Sequence, residues 1–399
     1  FAFDMSNPDK PKFKWEISNK SSGFEQLALT FSTPRIAHLD LGKATPEPVL
    51  VFAGGYHGGR NGATGVGQDV SSAPDTIGNA IYVVKPETGE LIWRASGPGT
   101  DGTPSSLGSS DSVAELLHSI PAPISIIDSD NNGIDDRAYV GDSGGNVWRI
   151  DFNESAHRAE NMAGDITDHW RVSKLAALGG SGVSDRRFFH APDVTLSKDA
   201  ASDFVGIAIL SGNRAAPLDM SVENYAYFIK DRGEGQTAVR EVIMHSQLQD
   251  VTRFCSNSKD VECLQPELLS GWKMELTSLG EKGLSTPVIA EGKLFFTSYV
   301  PAQPDQITQC ESAVGSTRLY AMELLDGSPA QTPMGRLRLA SDEQAVRHRD
   351  LGQGLLGDVV PFGPSLLIPG VVSKTSSLFP LEGASIRRTY WREHGVDEL

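Results

Sequence analysis

Short apolar runs recur in the same order along most of this chain, and this repetition constrains the fold more than any single segment does. In each repeat, one strand-like run opens near a small residue and a proline, a second ends in Gly or Ser, and a third carries an aromatic residue. Four such repeats begin at residues 33, 122, 191 and 285, separated by turn signals in a chain with 41 Gly and 23 Pro. This pattern predicts one supersecondary unit that is stacked several times.

Four antiparallel strands per repeat are typical of the blade of a β-propeller. We therefore predict an all-β chain in which residues 1–399 form a single propeller domain of four-stranded antiparallel blades. Residues 1–17 are predicted to be the last two strands of an earlier blade, and residues 357–372 with 384–391 a final one. The opening blades of the ring are accordingly expected upstream. A β-sandwich, or two stacked β domains, is the alternative, and the repeated order favours the propeller.

Composition excludes some functions. The net charge of −16 argues against a nucleic-acid partner, whose phosphates would be repelled. No run of about 18 apolar residues exists, so no membrane-spanning helix is predicted. The spacing of Cys255 and Cys263 suits a small disulfide-closed loop in an oxidising compartment, although Cys310 could pair with either of them. The absence of a CxxC motif argues against a zinc site.

Residues 128–136 lie between the first two predicted strands of the second repeat and have the spacing of a calcium loop. Oxygen-bearing side chains stand at loop positions one, three, five and nine, with a glycine at six and a backbone carbonyl available at seven. The predicted ligands are Asp128, Asp130, Asn132 and Asp136 by side chain and Ile134 by its carbonyl. Alternating oxygen ligands suit calcium, which takes six to eight of them. An Asp/Asn turn without a metal is the alternative, and it leaves three carboxylates close together.

This loop departs from an EF-hand. Position twelve, where an EF-hand has a bidentate Glu, is Tyr139 within a predicted strand, and no helices flank the loop. We therefore predict a calcium site with EF-hand-like ligand spacing between two β-strands.

No catalytic set is predicted, and the chain is not expected to be an enzyme. The nine His residues show no HxH or HExxH spacing, and Ser143 has neither a nucleophile-elbow pattern nor an evident His partner. Glu281 and Asp358 are predicted to be isolated carboxylates.

Residues 118–151, which include the loop and the run Tyr139-Val-Gly-Asp-Ser-Gly-Gly-Asn-Val-Trp148, resemble the PilY-type C-terminal propeller of type IV pilus tip-associated proteins. Residues 211–218, 295–299, 319–322 and 390–393 extend the resemblance over essentially the whole chain. The resemblance implies a modified propeller related to quinoprotein dehydrogenases, with calcium held by the five loop residues named above.

The resemblance also implies pilus biogenesis, tip adhesion and calcium-dependent control of pilus extension against retraction, and with them twitching motility. The implied partners are minor pilins of the tip complex and a host or abiotic surface. The implied location is the pilus tip or outer cell surface, reached through the periplasm. Some family members carry an Arg-Gly-Asp tripeptide that binds integrin, whereas this chain has Arg232-Gly-Glu234, so integrin binding is not predicted.

Two alternatives remain. Residues 82–93 are typical of the tryptophan-docking repeat of quinoprotein dehydrogenases, which would make the chain a quinone-dependent enzyme. That repeat is a blade-packing device, and so it concerns fold and not chemistry. The other alternative is a generic secreted, calcium-stabilised adhesion scaffold.

Overall fold

The computed structural model describes residues 1–58, 74–98, 110–152, 167, 170–233, 241–253, 270–303, 314–331, 345–362, 365–368 and 377–380. Within these residues the regular elements are β-strands, two single-turn 3-10 helices at Gly182–Ser184 and His245–Gln247, and a 3-10 residue at Thr167. No helix there is long and apolar enough to cross a membrane. Cys255, Cys263, Cys310 and residues 384–391 lie outside the described residues, so the disulfide and the last predicted strand stay predictions.

The chain divides into two compact units, one up to Leu175 and one from Ala176. The strands up to the division are β1 (Ala2–Asp4), β2 (Lys12–Trp15), β3 (Arg35–Leu39), β4 (Glu47–Ala53), β5 (Ala80–Val84), β6 (Leu91–Ser96), β7 (Ser110–Ser112), β8 (Ser125–Ile127), β9 (Arg137–Gly141), β10 (Asn146–Asp151) and β11 (Arg171–Ala177).

The strands of the second unit are β12 (Asp193–Lys198), β13 (Asp203–Leu210), β14 (Tyr225–Asp231), β15 (Ile243–Met244), β16 (Gln249–Asp250), β17 (Gly271–Glu275), β18 (Lys282–Gly283), β19 (Val288–Ala290), β20 (Lys293–Val300), β21 (Ser316–Glu323), β22 (His348–Gln353), β23 (Val360–Phe362), β24 (Ser365–Ile368) and β25 (Ser377–Pro380).

Successive strands pair in chain order, as the repeat predicts. The first unit holds the sheet β3-β4-β5-β6 and the run β8-β9-β10-β11, and the second holds β12-β13-β14-β17. A further sheet is built on β20, β21 and β22, with β18 and β19 both paired to β20. The central strands β5 and β14 are buried along their whole length, which explains why β5 and residues 225–229 of β14 are continuously apolar instead of alternating. The predicted all-β class and its four-stranded meanders are confirmed.

Three sheets carry a short parallel strand that the repeat does not predict. In one of them, the two-residue β15 pairs parallel with Ala176 and Ala177 of β11. The three-residue β7 pairs parallel with β6, and the two-residue β16 pairs parallel with β17. Each lies on the outer edge of the fourth strand of its sheet.

One asparagine occupies the same position in three sheets, at or just before the start of the third strand. Asn79 donates from Nδ2 to the carbonyl of Leu116 (3.1 Å), and Asn224 donates to the carbonyl of Glu281 (3.1 Å). Asn146 donates instead to both carboxylate oxygens of Asp142, at 3.1 and 2.8 Å. The asparagine side chain therefore hydrogen-bonds the start of the third strand to a residue outside that strand in each sheet.

Trp15 in β2 and Trp272 in β17 each pack on the glycine turn of the next sheet within their own unit. Trp15 Nε1 donates to the carbonyl of Pro86 (2.9 Å), and its ring covers Gly89, where a Cβ would come within 2.8 Å of the indole. Trp272 Nε1 donates to the carbonyl of Leu324 (2.9 Å) in the same way. The predicted tryptophan-docking repeat is thus a packing device in this chain.

Candidate functional site

The candidate site is the loop that joins β8 to β9, and its side chains fold back on the loop's own amides. Asp128 accepts from the backbone N–H of Asn132 (3.1 Å) and of Gly133 (2.7 Å). Asp130 accepts from the N–H and the Nδ2 of Asn132, at 3.2 and 2.9 Å, and Asn132 Oδ1 accepts from the N–H of Ile134 (2.8 Å). The alternation of oxygen-bearing side chains therefore winds the backbone into a compact turn.

Two residues of the loop have left-handed backbone conformation, namely Asn131 (φ 61°) and Gly133 (φ 87°). Asn adopts this region more readily than most residues, and Gly has no steric penalty there. A Cβ built on Gly133 meets nothing within 4 Å. Conformation, and not lack of space, is what requires glycine at loop position six.

Asp136 closes the loop and is the most buried of the predicted ligands, with 3% of its surface exposed. Its carboxylate accepts from the N–H of Ser129 (2.7 Å) and from the Ser129 hydroxyl (2.6 Å). Burial raises the pKa of Asp136 to about 6, opposed by the Ser129 hydrogen bonds and by Arg137 and reinforced by the charge of Asp130. A cation beside this carboxylate favours its charged form.

Asp135 links the loop to a different sheet of the same unit. Its Oδ2 accepts from the N–H of His38 in β3 (2.8 Å), and its own N–H donates to the carbonyl of His38 (3.0 Å). Burial raises the pKa of Asp135, and the nearby charge of Asp128 raises it further. Sequence reasoning did not single out Asp135, because its partner lies 97 positions away.

The donor set fits calcium chemically, since it offers carboxylate, amide and carbonyl oxygens and no nitrogen or sulfur ligand. The carboxylates, however, are not gathered around one point. Over the part of the chain that the structure describes, no three His, Cys, Asp or Glu side chains form a metal-holding group. The calcium ligands Asp128, Asp130, Asn132, Ile134 and Asp136 accordingly stay a prediction, supported by loop position and donor chemistry.

A second polar cluster in the first unit contains His, Asp and Ser without forming a catalytic triad. His57 Nδ1 pairs with Asp75 Oδ1 (2.9 Å), while the Ser143 hydroxyl donates to Asp75 Oδ2 (3.3 Å) and shares a hydrogen bond with Ser119 (3.0 Å). The serine and the imidazole both bind the carboxylate, whereas a triad needs the serine on the imidazole. Asp75 thus acts as a buried structural acceptor.

Glu281 is not isolated, so that prediction is wrong. The carboxylate is buried and accepts from the hydroxyls of Ser298 (2.6 Å) and Tyr320 (2.8 Å) and from Arg318 (2.8 Å). These partners lie on β20 and β21, and only the sheet pairing brings them to Glu281. Asp358 likewise accepts from the N–H of Thr286 (2.9 Å).

The relatives found by sequence and the solved structure found by fold agree with one another. No protein-family model matches the chain. A PilY1 homologue from Xylella fastidiosa, described as a type IV pilus biogenesis factor, is 22% identical over 386 residues, which cover 90% of this chain and 23% of that protein. PilY1 of Pseudomonas aeruginosa strain PAK, also a type IV pilus biogenesis factor, is 28% identical over 155 residues, or 38% of this chain and 10% of that protein. The crystal structure of the C-terminal domain of Pseudomonas aeruginosa PilY1 matches with a TM-score of 0.61 and 17% identity, over 92% of this chain and 76% of that one.

The chain is similar to the PilY1 proteins. The predicted resemblance is therefore confirmed, and so is the modified β-propeller class, because the chain has the fold of the PilY1 C-terminal domain. The chain spans less than a quarter of the length of the curated PilY1 relatives that it matches. The names of those relatives are those of pilus biogenesis factors and not of enzymes.

Proposed function

We propose that this chain is a calcium-binding, non-enzymatic module of a type IV pilus biogenesis factor. The observation that carries the proposal is the oxygen-rich loop at residues 128–136, placed between two strands of a fold shared with the PilY1 C-terminal domain. The names of the curated relatives support the pilus role. The acidic balance of the chain, with a net charge of −16, is compatible with a divalent cation.

In this proposal Asp128, Asp130, Asn132 and Asp136 hold calcium by side chain, and Ile134 holds it by its carbonyl. Calcium supplies positive charge that offsets the repulsion between the three ligand carboxylates, Asp128, Asp130 and Asp136. Asp136 transmits the change, because its N–H donates to the carbonyl of Ile127 in β8 (3.2 Å) and its carbonyl accepts from Phe152 (2.7 Å). A carboxylate drawn into the loop therefore acts directly on how β8 meets β9.

The proposed setting is the pilus tip or outer cell surface, reached by export through the periplasm. There the module contacts minor pilins of the tip complex and supports adhesion to a host or abiotic surface. A calcium concentration above the dissociation constant of the loop favours pilus extension over retraction. Twitching motility therefore depends on calcium. In this regulation a local change of charge at the loop biases how β8 meets β9.

The test is a strain in which the protein carries Asp130→Asn, a substitution that removes one loop charge with little change in side-chain size. We expect calcium affinity of the purified chain to fall at least about tenfold, since ligand charge sets calcium affinity in such loops. Surface pilus number should then lose its response to calcium. The matched control is Asp203→Asn, which removes an exposed carboxylate at the start of β13, outside the loop. A calcium response that is the same in both strains would exclude the regulatory role.

A further inference from the structure

The edge of strand β3 is completed by the loop that joins β8 to β9. His38 lies opposite Pro48 in a non-hydrogen-bonded position of the antiparallel pairing of β3 with β4, so the N–H and carbonyl of His38 point away from β4. The N–H and carbonyl of His38 both bind Asp135 instead, at 2.8 and 3.0 Å. One residue of the loop thus satisfies both backbone groups that β3 presents at this position.

This contact also fixes the direction of a proposed calcium ligand. The Ile134 carbonyl and the Asp135 N–H belong to the same peptide unit, and that unit is trans. In a planar trans peptide the C=O and the N–H point in opposite directions. Because the Asp135 N–H points at the carbonyl of His38, the Ile134 carbonyl is held facing away from β3.

We infer that Asp135 is a positioning residue for the metal loop: through His38 it uses the edge of β3 to orient the Ile134 carbonyl, and it connects occupancy of the loop to that edge. The inference rests on the proposed calcium function and extends it to a strand in a neighbouring sheet of the same unit. Asp135 itself is assigned no contact with the metal.

The second unit holds the same edge contact without the loop. Asp193 in β12 accepts through Oδ2 from the N–H of Ile289 in β19 (2.6 Å). Asp193 lies within strand β12, flanked by Pro192 and Val194, and the oxygen-bearing side chains of Thr195 and Ser197 that follow it stand along the strand instead of winding into a loop. The Ile289 amide is therefore a matched internal control for the His38 amide.

The experiment measures calcium binding by calorimetry, together with residue-resolved amide hydrogen exchange, on the full chain with and without calcium. We expect calcium to slow exchange of the His38 amide at least about tenfold and to leave the Ile289 amide unchanged. Asp135→Ala should weaken calcium affinity about 10- to 100-fold, as is typical when a residue that orients a metal ligand is lost. Asp135→Asn, which keeps an oxygen that can accept from His38, should retain most of the affinity, and Asp193→Ala should retain all of it.

The outcomes separate the two proposals. If the wild-type chain takes up no calcium, the proposed function is wrong and the inference falls with it. If the wild-type chain binds calcium while exchange at His38 does not respond, or if Asp135→Ala binds as tightly as wild type, the inference alone is overturned. The wild-type exchange measurement decides the matter even if Asp135→Ala does not fold.

Discussion

Asp135 in the first unit and Asp193 in the second perform the same task on different backbones. Each carboxylate accepts from an edge amide of a neighbouring sheet in its own unit, at 2.8 and 2.6 Å. Asp193 stands in a strand, whereas Asp135 stands in a loop whose neighbours are proposed metal ligands. The comparison shows that capping a strand edge is a structural device of this fold. Sensitivity to a metal would come from the loop that carries the cap in the first unit.

The largest expected effect is on the free energy of unfolding. It comes from side-chain packing in the second unit, which should not affect calcium binding by the loop of the first unit. Trp272 is fully buried and donates to the carbonyl of Leu324, so Trp272→Ala should lower the free energy of unfolding by about 3 to 5 kcal/mol. Trp15→Ala, at a part-exposed counterpart in the first unit, should cost about 1 to 2 kcal/mol. Urea unfolding measures both. Calcium affinity of Trp272→Ala should match wild type, and a loss as large as that of Asp130→Asn would break the comparison.

Acid should destabilise the second unit by protonating His190. Burial, together with the nearby Arg214, lowers the pKa of His190 to about 4, opposed by Asp358. Arg214 donates to Nε2 of His190 (3.2 Å), which requires that nitrogen to be unprotonated. The folded-state pKa of His190 lies below the unfolded value of about 6.5. The stability that neutral His190 contributes is therefore fully present above pH 6.5 and is lost as the pH falls through 4.

At pH 4.5 the loss through His190 should be on the order of 2 to 3 kcal/mol. His190→Gln cannot gain the proton, so the difference in unfolding free energy between pH 7 and pH 4.5 should shrink by that amount. Its calcium affinity at pH 7 should equal that of wild type. An unchanged pH dependence would show that His190 is not the group responsible.

The smallest effect separates backbone strain from metal binding. Gly133 in the loop (φ 87°) and Gly182 in the second unit (φ 64°) both have left-handed backbone, and a Cβ at either meets nothing within 4 Å. Each change to Ala should therefore destabilise by about 1 kcal/mol through conformation alone. Only Gly133→Ala should weaken calcium binding, because only Gly133 shapes the loop. Equal calcium affinities for the two variants would show that the loop is not the calcium site.

Features with a local signal were predictable from sequence. The loop is recognisable because its alternation of oxygen-bearing side chains lies within nine residues. The sequence also indicated a tryptophan-docking packing device at residues 82–93, but it did not show that Trp15 is the side chain that covers Gly89. The cap of His38 by Asp135 was not predictable, since it joins residues 97 positions apart. Glu281 appeared isolated for the same reason, because its partners come from two other strands. Strands of two or three residues such as β16 and β7 are too short to leave an apolar period.

Those two short strands have a consequence for behaviour at high concentration. A strand at the edge of a sheet offers unpaired amides and carbonyls that can recruit another molecule. By pairing with residues Arg94 to Ser96 of β6 and with Trp272 and Lys273 of β17, β7 and β16 occupy part of the outer edge of each strand. The backbone groups paired in this way are not free for β-pairing with another molecule. At these two edges the chain is in this way protected against edge-to-edge association where many copies are crowded together.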